Sequence, residues 1–324
     1  MMRYALFLLI LVLFAGVGVS RPDIKIARPD AYFFTASPSA EKYPPEIVDP
    51  FKDLTIEAES AVLLDLSGDK IIFKKNSDFE RPLASLTKLV TAAVFYDLVE
   101  DILSAENAGL PIGQESASIV IPITSEAVKQ EGDDGFLVNE SFRAEDLVSA
   151  MLVRSSNDAA YALSSWLQKK SNKPDSLWFV NEMNVFVSGI GLHQTYFLNP
   201  TGLDVDDYLA GAYGTAEEMA RLFSWLIKNK FDIISATSGP QITVYSVQGK
   251  KHIFESIAVP VMPIPELISA KTGYTELAGG NLVFAFGLGV GRQFIAVVLG
   301  SSYEGRFEDA MKLYAAASRY VKNL

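Results

Sequence analysis

The chain has 324 residues, of which 49% are hydrophobic and 21% are charged, so it can bury a sizeable core and is not a disordered segment. Its formal net charge of −11 argues against a nucleic-acid partner, because such binding depends on Lys and Arg neutralising phosphates. The chain contains no cysteine, which excludes disulfides, a thiol nucleophile and a thiolate metal site.

Residues 1–20 are predicted to be a secretory signal peptide. Arg3 precedes an apolar run over residues 5–19, and the small residues Gly18 and Ser20 stand at suitable cleavage positions. The alternative is an uncleaved membrane anchor, although the run is shorter than the roughly 18 residues that a spanning helix needs. Both alternatives place the protein outside the cytoplasm, and the second would associate it with the membrane through its N-terminal segment.

Residues 21–54 are rich in Pro, Ala and Ser, with Pro44, Pro45 and Pro50 among them, and are predicted to be an extended linker. The folded domain is expected over residues 55–324. It opens with two apolar-rich runs, residues 60–66 and 70–75, separated by Ser-Gly-Asp, a pattern typical of a β-hairpin.

Helical periodicity begins after the hairpin and dominates the middle of the chain. Apolar residues recur at helical spacing over residues 85–99, and again over residues 144–153, 159–169 and 215–227, with a short strand-like run at 118–123. Strand patterns return at residues 267–271, 281–288 and 293–299. A last helix is predicted with Phe307, Met311, Tyr314 and Val321 on one face.

Strands at both ends with helices between them predict an α/β (α+β) fold. The N- and C-terminal strands are expected to meet in one antiparallel sheet flanked by helices, while the middle of the chain forms a mostly helical second lobe.

Three serines stand three residues before a lysine: Ser39, Ser67 and Ser85. Ser39 lies in the linker and Ser67 in the hairpin turn, where a polar residue needs no further explanation. Ser85 lies at the start of a helix, so the amine of Lys88 can reach its hydroxyl, because residues i and i+3 share a helix face. Taken alone, Ser85 could equally be a helix N-cap followed by an exposed lysine.

Two further motifs follow in the chain. Ser155, Ser156 and Asn157 form its only Ser-x-Asn and lie between two helical segments, where a simple helix cap is the alternative. The only Lys-Ser/Thr-Gly triplet begins at Lys271 and ends an apolar strand, where it could also be an ordinary strand end.

Ser-x-x-Lys, Ser-x-Asn and Lys-Thr-Gly in this order resemble the constellation of the penicillin-interacting serine enzymes. The surrounding residues 82–88, 155–160 and 271–275 look like those of D-alanyl-D-alanine carboxypeptidases, and residues 197–204 are similar to the Asn-Pro-x-Gly-Leu segment of that family. The resemblance spans residues 55–302 and implies a β-lactamase/transpeptidase-like fold. Ser156 stands where many relatives have glycine, and no second, all-β domain is expected after the last helix.

The resemblance implies a division of the acyl-transfer chemistry among three residues. Ser85 would be the nucleophile and Lys88 the base that takes its proton, provided that burial and a nearby second cation keep the Lys88 amine neutral. Ser155 would bridge Lys88 and Lys271 and pass the proton to the leaving amine.

The remaining site residues are implied to bind substrate. Asn157 would hold the substrate amide, Lys271 and Thr272 would meet the terminal carboxylate, and Gly273 would leave room for the peptide beside the strand. The backbone N–H of Tyr274 would join that of Ser85 in an oxyanion hole. Neither a cofactor nor a metal ion is expected.

The predicted activity is that of a D,D-carboxypeptidase. Its substrates would be peptidoglycan stem peptides ending in D-Ala-D-Ala, from which it removes the terminal D-alanine, and β-lactams would be covalent inhibitors. The alternatives are a D,D-endopeptidase, a β-lactamase, which the absence of a Glu-x-x-x-Asn pattern disfavours, and an inactive penicillin-sensing module. A histidine triad is disfavoured because His193 and His252 lie outside any triad-like motif and are expected at the surface.

Overall fold

The central sheet joins the two ends of the chain. The computed structural model describes residues 49–107, 119–173, 175 and 177–324, so the predicted signal peptide, most of the predicted linker and Ser39 lie outside the described residues. Within these, β1 (Ser60–Asp65) pairs antiparallel with β12 (Gln293–Ser301), and Val62 stands opposite Val297. The sequence prediction that the terminal strands meet is confirmed.

Three more strands complete this sheet: β2 (Lys70–Lys75), β10 (Leu267–Thr275) and β11 (Gly279–Gly287). Their order is β10-β11-β12-β1-β2, and every neighbouring pair is antiparallel. The hairpin predicted from the Ser-Gly-Asp turn is therefore present as β1 and β2.

The sheet is buried on both faces, because alternate side chains of a strand point to opposite sides. Val62 and Val297 contribute to a core shared with the helical lobe, whereas Leu63 and Phe284 contribute to a second core. The last helix covers that second face. Its buried stripe consists of Phe307, Ala310, Leu313 and Ala317.

Seven α-helices occur in the described residues. They are α1 (Thr87–Asn107), α2 (Ala144–Val153), α3 (Asn157–Lys170), α4 (Trp178–Gly189), α5 (Ala216–Asn229), α6 (Phe231–Ile234) and α7 (Gly305–Lys322). Short strands connect them: β3 (Arg81–Pro82), β4 (Val120–Pro122), β5 (Ser141–Arg143), β6 (Tyr196–Phe197), β7 (Ala212–Gly214), β8 (Gln241–Tyr245) and β9 (Lys251–Glu255). None of the described helices is both long and apolar enough to cross a bilayer.

The predicted last helix is present as α7, and Phe307, Tyr314 and Val321 pack in or against the second core, while Met311 is 37% exposed. One detail of the sequence prediction is wrong. His252 is buried rather than at the surface: it lies on β9, where its Nε2 is 3.2 Å from Glu140 and its ring packs against Phe142.

The chain packs against the domain from Phe51 onward, slightly before residue 55, where the folded domain is expected to start. The ring of Phe51 stacks on Phe73 with centroids 5.6 Å apart, and Leu54 packs against the core under α7. The polar anchor of this region is Asp309 on α7, which is fully buried. Its carboxylate accepts hydrogen bonds from the backbone N–H groups of Glu57 at 2.9 Å and Ala58 at 2.7 Å, and from the Ser301 hydroxyl at 2.9 Å.

We predict that Asp309→Ala lowers the free energy of unfolding by about 3 kcal/mol, because it leaves the buried Ala58 N–H and the part-buried Glu57 N–H without an acceptor. Urea unfolding monitored by circular dichroism measures this. The matched control is Glu308→Ala, which removes an exposed carboxylate from the same helix turn and should change stability by less than about 0.5 kcal/mol. Equal effects of the two variants would contradict the anchoring role of Asp309.

Candidate active site

Ser85 lies in a single 3₁₀ turn, residues Ala84–Leu86, that leads directly into α1. Ala84 has φ 48°, an uncommon conformation for a residue with a side chain. Two contacts hold it: the Thr87 hydroxyl donates to the Ala84 carbonyl at 2.7 Å, and the Leu83 N–H donates to the Ala212 carbonyl at 3.0 Å. The half-buried Ser85 side chain is thereby presented at a sharp turn between strand and helix.

Lys88 is fully buried one helical turn after Ser85. Its Nζ lies 2.9 Å from Ser85 Oγ, 2.7 Å from Asn157 Oδ1 and 2.6 Å from the Thr201 carbonyl oxygen. These acceptors match the three protons of an ammonium group. The contact with Ser85 decides against the alternative in which Lys88 is an exposed lysine after a helix cap.

Burial lowers the pKa of Lys88 to about 7, and the charge of Asp134 partly opposes this shift. A lysine with such a pKa is about half neutral near pH 7, and its neutral fraction grows as the pH rises further. The neutral amine keeps two N–H donors and gains a lone pair, so the hydrogen bond at Ser85 can reverse and the hydroxyl can donate to Nζ. The site therefore contains a base in contact with the serine.

The Thr201 carbonyl, which accepts from Lys88, belongs to a tight turn, and no sequence pattern predicted this role. Asn199 Oδ1 accepts from the N–H groups of Thr201 at 3.1 Å and Gly202 at 2.7 Å, and the Thr91 hydroxyl donates to the Pro200 carbonyl at 2.7 Å. Gly202 has φ 80°, and a Cβ there would collide with the Ala84 carbonyl. This accounts for the glycine of the Asn-Pro-x-Gly-Leu segment.

The Ser-x-Asn motif forms the junction between α2 and α3. Ser156 is the N-cap of α3, since its side chain accepts from the Ala159 N–H at 3.1 Å. Ser155 has φ 66°, which turns the chain sharply just before the cap. Asn157 accepts from Lys88 through Oδ1 and donates through Nδ2 to the Glu131 carbonyl at 2.7 Å. The motif is therefore a helix cap and also contacts the buried lysine.

Lys271 brings a second buried amine to the site from β10. Its Nζ donates to Ser155 Oγ and to the Thr272 carbonyl, both at 2.7 Å. Burial, followed by the charges of Lys88 and Arg306, lowers the pKa of Lys271 well below its usual value. Ser155 thus contacts Lys271, one of the two lysines that it is predicted to bridge, whereas the acceptors around Lys88 are Ser85, Asn157 and Thr201.

Arg306 is a site residue that sequence reasoning missed. It lies on the buried side of α7, only 1% exposed, and its Nη1 donates to the Gly273 carbonyl at 2.8 Å. Its guanidinium carbon lies 4.3 Å from the centre of the Tyr303 ring. A basic residue within the apolar stripe of the last helix was the available sequence signal.

The end of β10 packs directly against the turn that holds Ser85. A Cβ added to Gly273 would lie 2.9 Å from the Leu83 carbonyl oxygen and 3.1 Å from the Ser85 nitrogen, so this close approach requires a residue without a side chain. Thr272 is buried beside it, and the side chain of Tyr274 is 40% exposed. The structure thus brings the Ser-x-x-Lys turn, the Ser-x-Asn loop and the Lys-Thr-Gly strand together.

The other candidate residues lie elsewhere. Ser67 is in the β1–β2 turn, where its hydroxyl donates to the Gly291 carbonyl at 2.8 Å. His193 is exposed, and His252 pairs with Glu140. Neither histidine contacts the serine and lysine groups described above.

Comparisons with known proteins agree with this geometry. The model of the Peptidase_S11 family, described as D-alanyl-D-alanine carboxypeptidase, matches residues 47–303. The chain is 27% identical over 271 residues to D-alanyl-D-alanine carboxypeptidase DacA of Escherichia coli K12, a match that covers 83% of this chain and 62% of that protein. The chain therefore spans less than two thirds of the length of that relative.

Two further similarities concern an enzyme with a different name and a solved structure. The D-alanyl-D-alanine endopeptidase of Escherichia coli K12 is 26% identical, with 70% of this chain and 66% of that protein covered. Penicillin-Binding Protein D2 from Listeria monocytogenes, solved in the ampicillin-bound form, is 29% identical with a TM-score of 0.63, covering 82% of this chain and 98% of that one.

The family match spans most of the chain and includes all three motifs, whose side chains the fold gathers around Ser85. The chain therefore belongs to the Peptidase_S11 family of serine-type D-alanyl-D-alanine carboxypeptidases.

Proposed function

We propose that this protein is a serine D,D-carboxypeptidase that removes the terminal D-alanine from peptidoglycan stem pentapeptides and is acylated by β-lactams. The observation that carries the proposal is the 2.9 Å contact between Ser85 Oγ and a buried Lys88 amine whose pKa lies near 7. The family supports it, as do relatives named D-alanyl-D-alanine carboxypeptidase and a related structure with bound ampicillin.

In the proposed acylation step, the neutral Lys88 amine takes the Ser85 proton as Oγ attacks the carbonyl carbon of the penultimate D-alanine. The backbone N–H groups of Ser85 and Tyr274 stabilise the resulting oxyanion, each contributing about 3 kcal/mol. Ser155, oriented by Lys271, gives its hydroxyl proton to the departing D-alanine nitrogen and takes the former Ser85 proton from Lys88, so that Ser155 and Lys88 both return to their starting states. Water then attacks the ester, releases the shortened peptide and returns the proton to Ser85.

Substrate recognition would use the cations around β10. Lys271 belongs to the Lys-Thr-Gly segment and Arg306 donates to its Gly273 carbonyl, so two basic groups lie where the terminal carboxylate would bind. The bound carboxylate would favour the charged form of Lys271, whose pKa burial lowers in the free protein. Thr272 offers a hydroxyl to the same carboxylate. Asn157 Nδ2 carries two protons and donates one to the Glu131 carbonyl, which leaves the second for a substrate carbonyl.

The proposal also includes export of the protein from the cytoplasm. The apolar N-terminal run and its small-residue boundary support a signal peptide, with an N-terminal membrane anchor as the alternative. Either would bring residues 55–324, the proposed D,D-peptidase domain, to the cell wall where stem peptides occur.

The second candidate function is D,D-endopeptidase activity. It is favoured by the similarity to a protein named D-alanyl-D-alanine endopeptidase. Both reactions would pass through the same acyl-enzyme and differ in the leaving group, which is free D-alanine in one case and a second stem peptide in the other.

We predict that the protein releases D-alanine from a pentapeptide and turns over nitrocefin only slowly. Ser85→Ala should reduce the rate of D-alanine release by at least about a thousandfold, because the variant lacks the nucleophile. Chromatography of the products measures this, and mass spectrometry should place a penicilloyl group on Ser85. Ser67→Ala is the matched control and should retain activity. Rapid nitrocefin hydrolysis without D-alanine release would contradict the proposal in favour of a β-lactamase, and cleavage of cross-linked dimers alone would favour the endopeptidase.

We predict that the rate constant of acylation by penicillin rises with pH and is half-maximal near pH 7, the pKa of Lys88. Below this pH the amine is an ammonium group without a lone pair, and above it the amine can accept the Ser85 proton. Asp134→Asn should move the midpoint to lower pH, because it removes a charge that raises this pKa. A profile that stays flat between pH 5 and 9 in both proteins would remove Lys88 from the role of base.

We predict that Lys271→Ala reduces kcat/KM for a pentapeptide with a free terminal carboxylate about tenfold more than for its C-terminal amide, because the lost cation matters most where an anion is bound. Steady-state kinetics with the two peptides measure the difference. Lys251→Ala removes an exposed cation from β9 and is the control. Equal losses for both peptides would mean that Lys271 acts only through Ser155.

A further inference from the structure

A row of apolar side chains crosses the outer face of the small sheet β3-β7-β6 and has no part in the reaction described above. The register places Pro82 opposite Tyr213 and Tyr213 opposite Tyr196, so these three side chains point to the same side. Phe197 and Ala212, which alternate with the tyrosines, point the other way into the core. The face turned away from the core is therefore aromatic, where an antiparallel sheet usually carries polar residues.

The two tyrosines of this face form an ordered aromatic surface. Their rings stack with centroids 5.3 Å apart and an interplanar angle of 22°. The Ala210 N–H donates to the Tyr213 hydroxyl at 3.0 Å, which fixes the position of that ring. Tyr213 is half-buried, whereas Tyr196 is 40% exposed. Tyr196 therefore offers aromatic surface to a ligand, and Tyr213 supports it.

The loop that leads into β3 surrounds these rings with hydrogen-bond acceptors and negative charge. Asp78 and Glu80 are exposed, and Phe79 between them is 60% exposed. Gln194 Nε2 donates to the Asp78 carbonyl at 3.4 Å, so this loop lies beside the start of β6. Burial, followed by the charge of Glu80, raises the pKa of Tyr196, which is consistent with the same proximity.

This combination of groups fits an uncharged sugar. The C–H groups on one side of a pyranose ring pack against the negative face of an aromatic ring, and the sugar hydroxyls donate to carboxylates. Arg81, the basic residue of β3, alternates with Pro82, so it points to the opposite side, where it pairs with Glu59. The carboxylates beside the tyrosines therefore disfavour an anionic polymer or lipid head group.

The aromatic face is continuous with the catalytic turn. Pro82 precedes Ser85 by three residues, so the two lie at most about 11 Å apart, and β7 lies about 5 Å beyond β3. A stem peptide joins its sugar at the amino end, and the four residues from there to the attacked carbonyl span about 14 Å when extended. A stem bound at Ser85 is therefore long enough to bring its own sugar to Tyr213 and Tyr196.

We infer that the face formed by Pro82, Tyr196 and Tyr213 binds an N-acetylated sugar of the glycan strand that carries the stem peptide. Tyr196 would stack on the sugar ring, and Glu80 would accept a hydrogen bond from one of its hydroxyls. The inference rests on the proposed function, because it takes the sugar from the same substrate. It implies that the protein distinguishes a stem attached to glycan from a free peptide.

The test compares kcat/KM for D-alanine release from a free pentapeptide and from the same pentapeptide attached to the peptidoglycan disaccharide. Wild type should prefer the attached substrate about fivefold, the gain expected from one aromatic contact. Tyr196→Ala should abolish the preference by lowering kcat/KM for the attached substrate alone, whereas Tyr196→Phe keeps the ring and should retain it. Tyr245→Ala removes an exposed tyrosine of β8 and is the matched control.

Binding of the sugar can also be measured without the reaction. The probe is a short oligomer of N-acetylglucosamine, which carries no stem peptide. Saturation-transfer NMR should show transfer from the protein to the sugar protons in wild type and in Tyr196→Phe, and none in Tyr196→Ala. Fluorescent-penicillin labelling of each variant shows whether it is folded and active.

Three results would overturn the inference. The first is that wild type shows neither a preference for the attached substrate nor transfer to the sugar. The second is that the preference survives in Tyr196→Ala. The third is a concentration-dependent dimer that Tyr196→Ala abolishes, without any preference for the attached substrate, which would assign this face to a second copy of the chain. Failure of the proposed function looks different, since neither substrate would then be cleaved and Ser85 would not be labelled.

Discussion

The structure depends on burying the amine of Lys88 beside Ser85. Removing a lysine from water is costly unless its protons are bound, and here Asn157, Thr201 and Ser85 accept them. That arrangement has a chemical consequence, because the same burial brings the pKa of Lys88 to about 7 and makes the neutral amine accessible. Much of the remaining site holds these three acceptors in position around Lys88, although they come from separate parts of the chain.

Both the sheet and the helical lobe supply residues to the site. Strand β10 supplies Lys271 from the C-terminal half of the chain. The end of this strand packs so closely against the Ser85 turn that no side chain fits at Gly273. The α2–α3 junction supplies Ser155 and Asn157 from the helical lobe. Two residues with side chains, Ala84 and Ser155, adopt positive φ at this interface. Such conformations persist only where surrounding contacts hold them, as the Thr87 and Lys271 hydrogen bonds do here.

The charges are distributed unevenly across the cleft. Lys271 and Arg306 place two basic groups along β10, whereas the carboxylate of Asp134 lies beside Arg154, the residue before Ser155. The charge of Asp134 also raises the pKa of Lys88, so it acts on the base of the site.

Local patterns in the sequence were sufficient for the sheet strands, for α1, α2, α3 and α5, and for the three motifs, because periodicity and turn residues act over a few positions. The same patterns could not place His252, whose burial depends on which neighbours the fold brings up to it. Arg306 and the carbonyl of Thr201 were missed for a related reason. Neither belongs to a short motif that the sequence analysis used, and their roles arise from contacts with Gly273 and Lys88, which are distant in sequence. The three motifs could be recognised without a structure, because each is a short run of particular residue types. Their hydrogen-bond partners and the lowered pKa of Lys88 arise only in the folded protein, because burial is a property of the assembled fold.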